Sequence, residues 1–278
     1  MKALIPQIRH TVFTSSALRA PLIWKRHWGL TQHDVFLASY PRSGSTWLRF
    51  MMLEILTGSS PDFKKVNQLL PSVGDHSSGV PLLPGSGRLI KTHEAYRKQY
   101  KKAIYLVRDA RDVVLSEYAY EKGLGRFEKD FDEFLRVFLN GKVSGYGSWQ
   151  HHVHSWLDAD SGGDVELLVV RFEELRSHPE ETLANLTQFI GVNVDDQLIR
   201  KVVADNSLDK MKKKEDMSPQ MPKGGNRFVR SGAVGGWMES LTPAQMELID
   251  RFAGDALSRA GYRLGKEIGA GDKLTRTF

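Results

Sequence analysis

Tyr40-Pro-Arg-Ser-Gly-Ser-Thr-Trp47 gathers a cation, small hydroxyl side chains and a glycine into one short stretch. The run before it, Asp34-Val-Phe-Leu-Ala-Ser-Tyr40, is apolar, and residues 46–57 carry apolar side chains at mostly helical spacing. Strand, tight loop and helix in that order aim free backbone N–H groups and the positive end of a helix dipole at one point. Such a point favours a phosphate or a sulfate. Gly44 permits close backbone approach, and Ser43, Ser45 and Thr46 add hydroxyl donors. In the nucleotide loop G-x-x-x-x-G-K-[ST] a lysine follows the second glycine. With Gly44 in that place, Ser39 stands at the first glycine, Ser45 at the lysine and Thr46 at the final hydroxyl. The cation instead stands upstream, at Arg42. The stretch is P-loop-like in architecture but lacks the residues an ATPase uses with magnesium. Taken alone, it also reads as an ordinary strand–helix turn with a Ser/Thr cap.

Other polar groups fall at comparable places. His93 ends a second short strand, Arg88-Leu-Ile-Lys-Thr-His93, beside Lys91. A neutral imidazole near its ordinary pKa of ~6.5 suits removal of a proton from a hydroxyl at neutral pH. Arg108 closes a third strand that begins at Lys102, and Ser116 lies two turns into the helix that follows. That spacing could bring a fixed cation and a hydroxyl onto a second phosphate; Arg108 could also simply pair with Asp109 or Asp112. Phe228 to Gly236 is glycine-rich and reads either as a loop that folds over a ligand, with Arg230 adding charge, or as a surface loop. His151, His152 and His154 cluster on an expected helix, but no acidic or cysteine partner makes them a metal site.

The elements that must position these groups alternate. Val165-Glu-Leu-Leu-Val-Val170 is a fourth strand, followed by an expected helix over about 179–190. Buried apolar strands alternating with helices imply an α/β fold of three layers, with a central, mostly parallel sheet. Ligand sites in such sheets sit at the C-terminal ends of the strands, where Arg42 to Trp47, Lys91 to His93, Arg108 to Arg111 and Arg171 to Glu174 fall. Residues 58–87 are rich in Gly, Ser and Pro without a clear period and are expected to form an extended excursion. One domain over 34–278 is expected, with residues 1–33 as an N-terminal arm packed on it.

Composition bounds the partners. The 278 residues are 41% hydrophobic and 26% charged, ordinary for a globular protein. With no cysteine, disulfides and cysteine-ligated metals are excluded and a cytoplasmic home is favoured. The net charge of +6 fits an anionic partner (nucleic acid, membrane surface or polyphosphorylated nucleotide) or a solvated basic surface. Lys210-Met-Lys-Lys-Lys214, the densest basic cluster, is expected on the surface and lacks the interleaved aromatics of a single-strand binder. No apolar run is long enough to span a bilayer.

Tyr40 to Trp47 closely resembles the 5′-phosphosulfate loop of the cytosolic sulfotransferases. Three further matches follow in that family's order. Ile90-Lys-Thr-His93 resembles the strand end that carries its catalytic histidine, Ile104 to Ser116 its 3′-phosphate element, and Phe228 to Trp237 its C-terminal glycine-rich loop. The similarity spans roughly residues 34–265. It implies in-line sulfonyl transfer from 3′-phosphoadenosine 5′-phosphosulfate (PAPS), leaving adenosine 3′,5′-diphosphate (PAP), without a metal. It further implies His93 as base, with Arg42, Lys91 and Ser116 completing the catalytic set. For the nucleotide it implies Ser43, Gly44, Ser45 and Thr46 around the 5′-phosphate, and Arg108, Ser116 and Arg230 around the 3′-phosphate. Trp47, Phe172, Asn206, Leu208, Phe228, Val229, Ser231 and Gly232 are the remaining implied contacts. Several positions depart from the family. Arg42 replaces a frequent lysine and cannot donate a proton in practice. Phe172 stands where a tyrosine is expected, Asn206-Ser-Leu208 where Thr-Ser-Phe is usual, and Ser231 where lysine is frequent.

A P-loop kinase would require ATP, magnesium and a lysine after Gly44. A catalytically silent nucleotide binder would fit the departures, but not the joint presence of His93, Lys91, Arg42 and Ser116. A nucleic-acid module would need a basic helix or an aromatic sheet face, and neither is evident. The acceptor stays open among small molecules, lipids and glycans. Its walls are expected from 58–87, 119–150 and 210–227, where Tyr118, Tyr120, Phe127, Phe131 and Trp149 suit an aromatic or lipid-like group or a packed core. A homodimer is compatible with the sequence.

Overall fold

Four apolar segments form one parallel sheet: β1 (Val35–Ser39), β2 (Leu89–Thr92), β3 (Lys102–Val107) and β4 (Glu166–Arg171), in the order β2-β1-β3-β4. These are the segments expected from the sequence, within a residue or two at each end. In register, Phe36 lies opposite Ile90 and Ala103, and Tyr105 lies opposite Val169. The computed structural model that defines them describes residues 16–219, 229 and 232–267. Residues 1–15 of the expected arm, and Phe228, Arg230 and Ser231, lie outside the described residues.

The helices follow in chain order as α1 (Ser16–Arg26), α2 (Ser45–Thr57), α3 (Phe63–Leu69), α4 (Ala110–Gly123), α5 (Phe131–Leu139) and α6 (Trp149–Ser161). Then come α7 (Phe172–Ser177), α8 (Pro179–Phe189), α9 (Asp196–Asp205), α10 (Leu208–Asp216), α11 (Trp237–Ser240) and α12 (Pro243–Arg259). β1 is buried along its whole length, so both faces of the sheet need cover. The period-two alternation of strand side chains sorts that cover. Phe36, Ala38, Ala103 and Tyr105 pack with Val113, Phe134, Trp156 and Ala253 of α4, α5, α6 and α12. Val35, Leu37, Ile104 and Leu106 pack with Phe50, Val66, Leu183 and Val202 of α2, α3, α8 and α9. Three layers result.

Residues 58–87 differ from the expected excursion. Asp62 caps α3 by accepting from the Lys65 N–H at 2.7 Å, and Phe63, Val66 and Leu70 are buried. Val73 N–H donates to the Lys91 carbonyl and Lys91 N–H to the Pro71 carbonyl, both at 2.8 Å, so this segment runs beside the outer edge of β2. Its helical apolar spacing is short and interrupted by Lys64, Lys65 and Asn67, which hides the period. The basic cluster lies on the surface as expected, Lys210 and Lys213 being exposed. It forms α10, with Met211 buried, Lys210 paired to Asp205 at 2.7 Å and Lys214 donating to Asn206 Oδ1 at 2.9 Å.

The described part of the arm meets the domain through polar contacts. Arg26 donates to the Val73 carbonyl at 2.6 Å, and His27 Nε2 and the Tyr100 hydroxyl lie 2.6 Å apart. Trp24 and Trp28 are exposed and meet edge to face at 5.3 Å. Among the described residues no helix is long and apolar enough to cross a membrane.

An ion pair joins the entry ends of β1 and β2. Asp34, only 1% exposed, accepts from Arg88 Nη2 at 2.6 Å and Nε at 2.8 Å, and from the Thr31 N–H at 2.7 Å. Burial alone would raise its pKa, but the Arg88 guanidinium and the Thr31 N–H together hold it below the usual carboxylate range. Removing one partner of such a pair leaves a buried charge uncompensated. Asp34→Ala is therefore expected to lose about 3–5 kcal/mol in urea denaturation at pH 7. Because the folded pKa is depressed, the pair's contribution is present above the unfolded carboxylate pKa. It fades as pH falls through the lower folded value. The difference between wild type and variant should shrink in that acid window.

Candidate active site

β1 ends in a turn that few residues can adopt. Arg42 has φ 64° and Gly44 has φ 92°, both in the left-handed region. At Gly44 a Cβ would also meet the Phe172 ring at 2.5 Å, so both backbone and space demand glycine. Gly44 is the N-cap of α2 and supplies no side-chain acceptor, so no side chain of its own caps the N–H groups of the first helical turn. These groups open on a cavity of about 570 Å3 at the C-terminal edge of the sheet.

The side chains lining that cavity come from all four strand ends. Arg42, Gly44, Ser45, Thr46 and Trp47 follow β1, while Lys91 and His93 end β2. Arg108 and Ser116 follow β3, and Phe172 follows β4. Leu208, Val229 and Gly232 complete the sequence-predicted residues found there. Two others lie elsewhere. Ser43 is 1% exposed behind the loop, its Oγ buried without a hydrogen-bond partner. Asn206 is fully buried, donating to Glu54 Oε2 at 2.9 Å and accepting from Lys214. It reaches the site only indirectly, because its carbonyl accepts from Trp47 Nε1 at 2.7 Å and so orients the indole.

His93 Nδ1 lies 2.6 Å from the Ser39 carbonyl oxygen. A carbonyl can only accept, so Nδ1 carries the proton and Nε2 keeps its lone pair. Burial, and then the Lys91 charge, hold the His93 pKa well below its ordinary value, so the ring is neutral at pH 7. Lys91 is itself pushed down to about 7, first by burial and then by Arg49 and Arg42. Arg49 lies behind it, donating to the Val66 and Leu70 carbonyls. The site therefore holds a neutral imidazole beside an ammonium that can give up its proton near neutrality.

The cations also hold the cavity's walls together. Arg42 Nε donates to Ser116 Oγ at 3.3 Å, and its guanidinium lies 4.4 Å over the Tyr120 ring. Arg108 Nη1 donates to the Arg42 carbonyl at 3.1 Å and Nη2 to the Ala233 carbonyl at 2.7 Å, with its guanidinium 4.5 Å over Phe172. Arg108 Nε is buried without a hydrogen-bond partner, a donor that an anion in the cavity could use. Asp109 pairs with Arg111 at 2.7 Å, while Arg108 and Asp112 are 4.0 Å apart.

Sequence reasoning missed several lining residues. Asp112 accepts from the Gly235 N–H at 2.8 Å and the Trp237 N–H at 3.2 Å, tying α4 to the glycine-rich segment. Arg176 lines the cavity with its guanidinium 5.3 Å over Trp47. Tyr146 meets the His93 ring edge to face at 5.5 Å, and Glu117 and Ser144 lie on the same wall. No local signal marks Arg176 or Tyr146, since only the chain's path brings them to the cavity; Glu117 was legible as an acidic residue directly after Ser116.

The expected acceptor walls are only partly realised. Tyr120, Ser144 and Tyr146 of 119–150 and Met211 of 210–227 line the cavity, no residue of 58–87 does, and 220–227 lie outside the described residues. Tyr118, Phe127 and Phe131 form a ring cluster with Phe134, and Trp149 is fully buried. The three histidines of α6 diverge. His152 is enclosed beside Tyr105, its pKa lowered to about 3 by burial, whereas His154 faces Asp255 and Arg259.

The comparisons with known proteins agree on one family. The sulfotransferase domain profile matches residues 32–261. Mouse sulfotransferase 1B1 is 30% identical over 256 residues, covering 82% of this chain and 85% of that protein. Mouse sulfotransferase 1A1 is 29% identical over 273 residues, covering 88% and 89%. Among solved structures, mouse sulfotransferase SULT7A1 complexed with PAP matches with a TM-score of 0.66 at 26% identity, covering 88% of this chain and 91% of that one. Retinol dehydratase in a complex with retinol and PAP also reaches 0.66, at 18% identity and 88% coverage of both chains, a likeness of fold alone. With a domain match over most of its length, and a parallel sheet whose four strand ends meet at one anion-suited cavity, the chain belongs to the sulfotransferase domain family.

Proposed function

We propose that the protein transfers a sulfonate group from PAPS to a hydroxyl or amine acceptor by in-line displacement, with His93 as the base. The observation that carries this reading is the placing of His93: its Nδ1 is held on the Ser39 carbonyl, and it lines, beside Lys91, the same cavity that the phosphate loop opens on. PAPS supplies an activated sulfonate whose transfer leaves PAP. The residues present suit such an anion: loop N–H groups, the orphaned Arg108 Nε, and the cations Arg42, Lys91 and Arg176. Among the described residues no group of three or more His, Asp or Glu side chains is arranged to hold a metal ion.

His93 Nε2 would take the acceptor proton as the acceptor oxygen or nitrogen attacks sulfur. Negative charge then grows on the bridging oxygen and the 5′-phosphate, where Arg42, Lys91 and the loop N–H groups oppose it. Arg42 can only bind that oxygen, whereas Lys91, at about 7, can also protonate it. Ser45 and Thr46 would hold the 5′-phosphate, and Arg108 and Ser116 the 3′-phosphate. Trp47 and Phe172, edge to face at 6.2 Å, would flank adenine, with Leu208, Val229 and Gly232 covering it. We further assign residues 34–278 to a single catalytic domain carrying 1–33 as an arm, in a protein acting in the cytoplasm.

Calorimetry with PAP against ATP–magnesium tests the donor side. PAP should bind and ATP–magnesium should not; the reverse would remove the transferase reading in favour of a kinase. With labelled PAPS and a panel of acceptors, His93→Ala should lower kcat by about 10²–10⁴ while PAP affinity stays close to wild type. Unchanged turnover would remove His93 as the base.

The pH dependence follows from the two shifted groups. The base form of His93 exists above its lowered pKa, so its titration costs little activity between pH 6 and 7. The charged form of Lys91 is lost as pH rises through about 7. Because kcat/KM reports the free enzyme, it should decline above pH 7, by roughly tenfold per unit. Lys91→Arg, which stays charged, should carry that alkaline limb upward even if the rate is lower.

A further inference from the structure

The cavity carries a carboxyl group that the transfer chemistry above does not use. Glu117 follows Ser116 on α4, lines the cavity and is 5% exposed. Its Oε2 is buried and has no hydrogen-bond partner among the described residues. A buried carboxylate oxygen is rarely left in that state, so the missing partner is expected from whatever enters the cavity.

Its neighbours put it on the acceptor side. Trp47, Phe172, Arg108 and Arg176 contact one another around the phosphate loop. Glu117 instead acts on Tyr40, whose hydroxyl also meets Ser144, and it is attracted by Arg42. Ser144 shares the cavity wall with Tyr146, the ring set against His93. Burial pushes the Glu117 carboxyl up to about 7; Arg42 and Arg126 draw it down and Glu121 adds to the rise.

Charge balance then selects the ligand. Arg42 provides counter-charge to Glu117 only until an anionic donor claims the guanidinium. With the donor in place, Glu117 must either take up a proton or meet a new cation. A neutral hydroxyl would supply one hydrogen bond but no charge. An ammonium group supplies both. We infer that Glu117 is the acceptor-recognition group, and that the acceptor is a hydroxyl compound bearing a protonated amine, its ammonium on Glu117 and its hydroxyl directed to His93. This assignment rests on the transferase reading above and names the substrate class for the same site.

Matched acceptors test it: tyramine against 4-ethylphenol and 6-aminohexanol against 1-hexanol, each assayed with labelled PAPS, with PAP affinity measured separately by calorimetry. Wild type should prefer the amine of at least one pair by about ten-fold or more in kcat/KM. Glu117→Gln should reduce that ratio to about two-fold or less, with PAP affinity close to wild type, while Glu117→Asp, which keeps the charge, should retain the preference. If no pair favours its amine, including the case in which none is turned over, the inference is overturned. A preference that survives Glu117→Gln overturns it equally. Failure of the wild-type protein to bind PAP would instead overturn the transferase reading itself.

Discussion

The structure turns on how β1 ends. Its last residue, Ser39, presents a carbonyl that fixes the His93 ring, and the next few residues make the left-handed turn at Arg42 and Gly44. That turn is possible because Gly44 has no Cβ to strike Phe172, and it is held from outside by Arg108 on the Arg42 carbonyl. The proposed base and the anion loop are therefore two consequences of one strand terminus. Shifting β1 by a single residue would exchange its buried faces and lose both at once.

Around that terminus the electrostatics are graded by burial. Arg49 sits deepest, its pKa lowered to about 10, and its charge helps to bring Lys91 down to about 7. Lys91 in turn helps to keep His93 neutral. Burial, reinforced at Lys91 and His93 by the neighbouring cation, converts three ordinary basic residues into a binder, a titrating ammonium and a neutral imidazole. Glu117 stands at the other end of this arrangement, an acid whose Oε2 has no hydrogen-bond partner among the described residues, in a cavity rich in positive charge. The balance among these groups depends on what is bound, which is why charge rather than shape points most directly to the acceptor.

The substituted positions make physical sense in this frame. Phe172 packs against Gly44 and under the Arg108 guanidinium, roles for a ring that need no hydroxyl. Asn206 ties Glu54 of α2 to Lys214 of α10 and orients Trp47 through its carbonyl. It thus reaches the cavity only at one remove, through the indole that lines it.

Local information was enough for the sheet and the anion loop. Short apolar runs broken by Gly, Pro and hydroxyl residues marked all four strands, and the Tyr40–Trp47 text marked the loop, because both depend on near neighbours and on a period of two. His93, Arg108 and Ser116 were legible as polar groups at strand ends for the same reason. Folding decided what distant segments do to one another. The α3 helix emerged from a run whose apolar spacing is short, since burial against α2, where the Phe63 ring meets Phe50, outweighed weak local propensity. Asn206 and Ser43 were turned away from the cavity, and Arg176, Tyr146 and Asp112 were brought to it, by packing across many tens of residues. The lowered pKa of Lys91 and the unpartnered oxygen of Glu117 could be known only once burial and the neighbouring charges were in place, because desolvation and Coulomb energy belong to positions in space and not to positions in the chain.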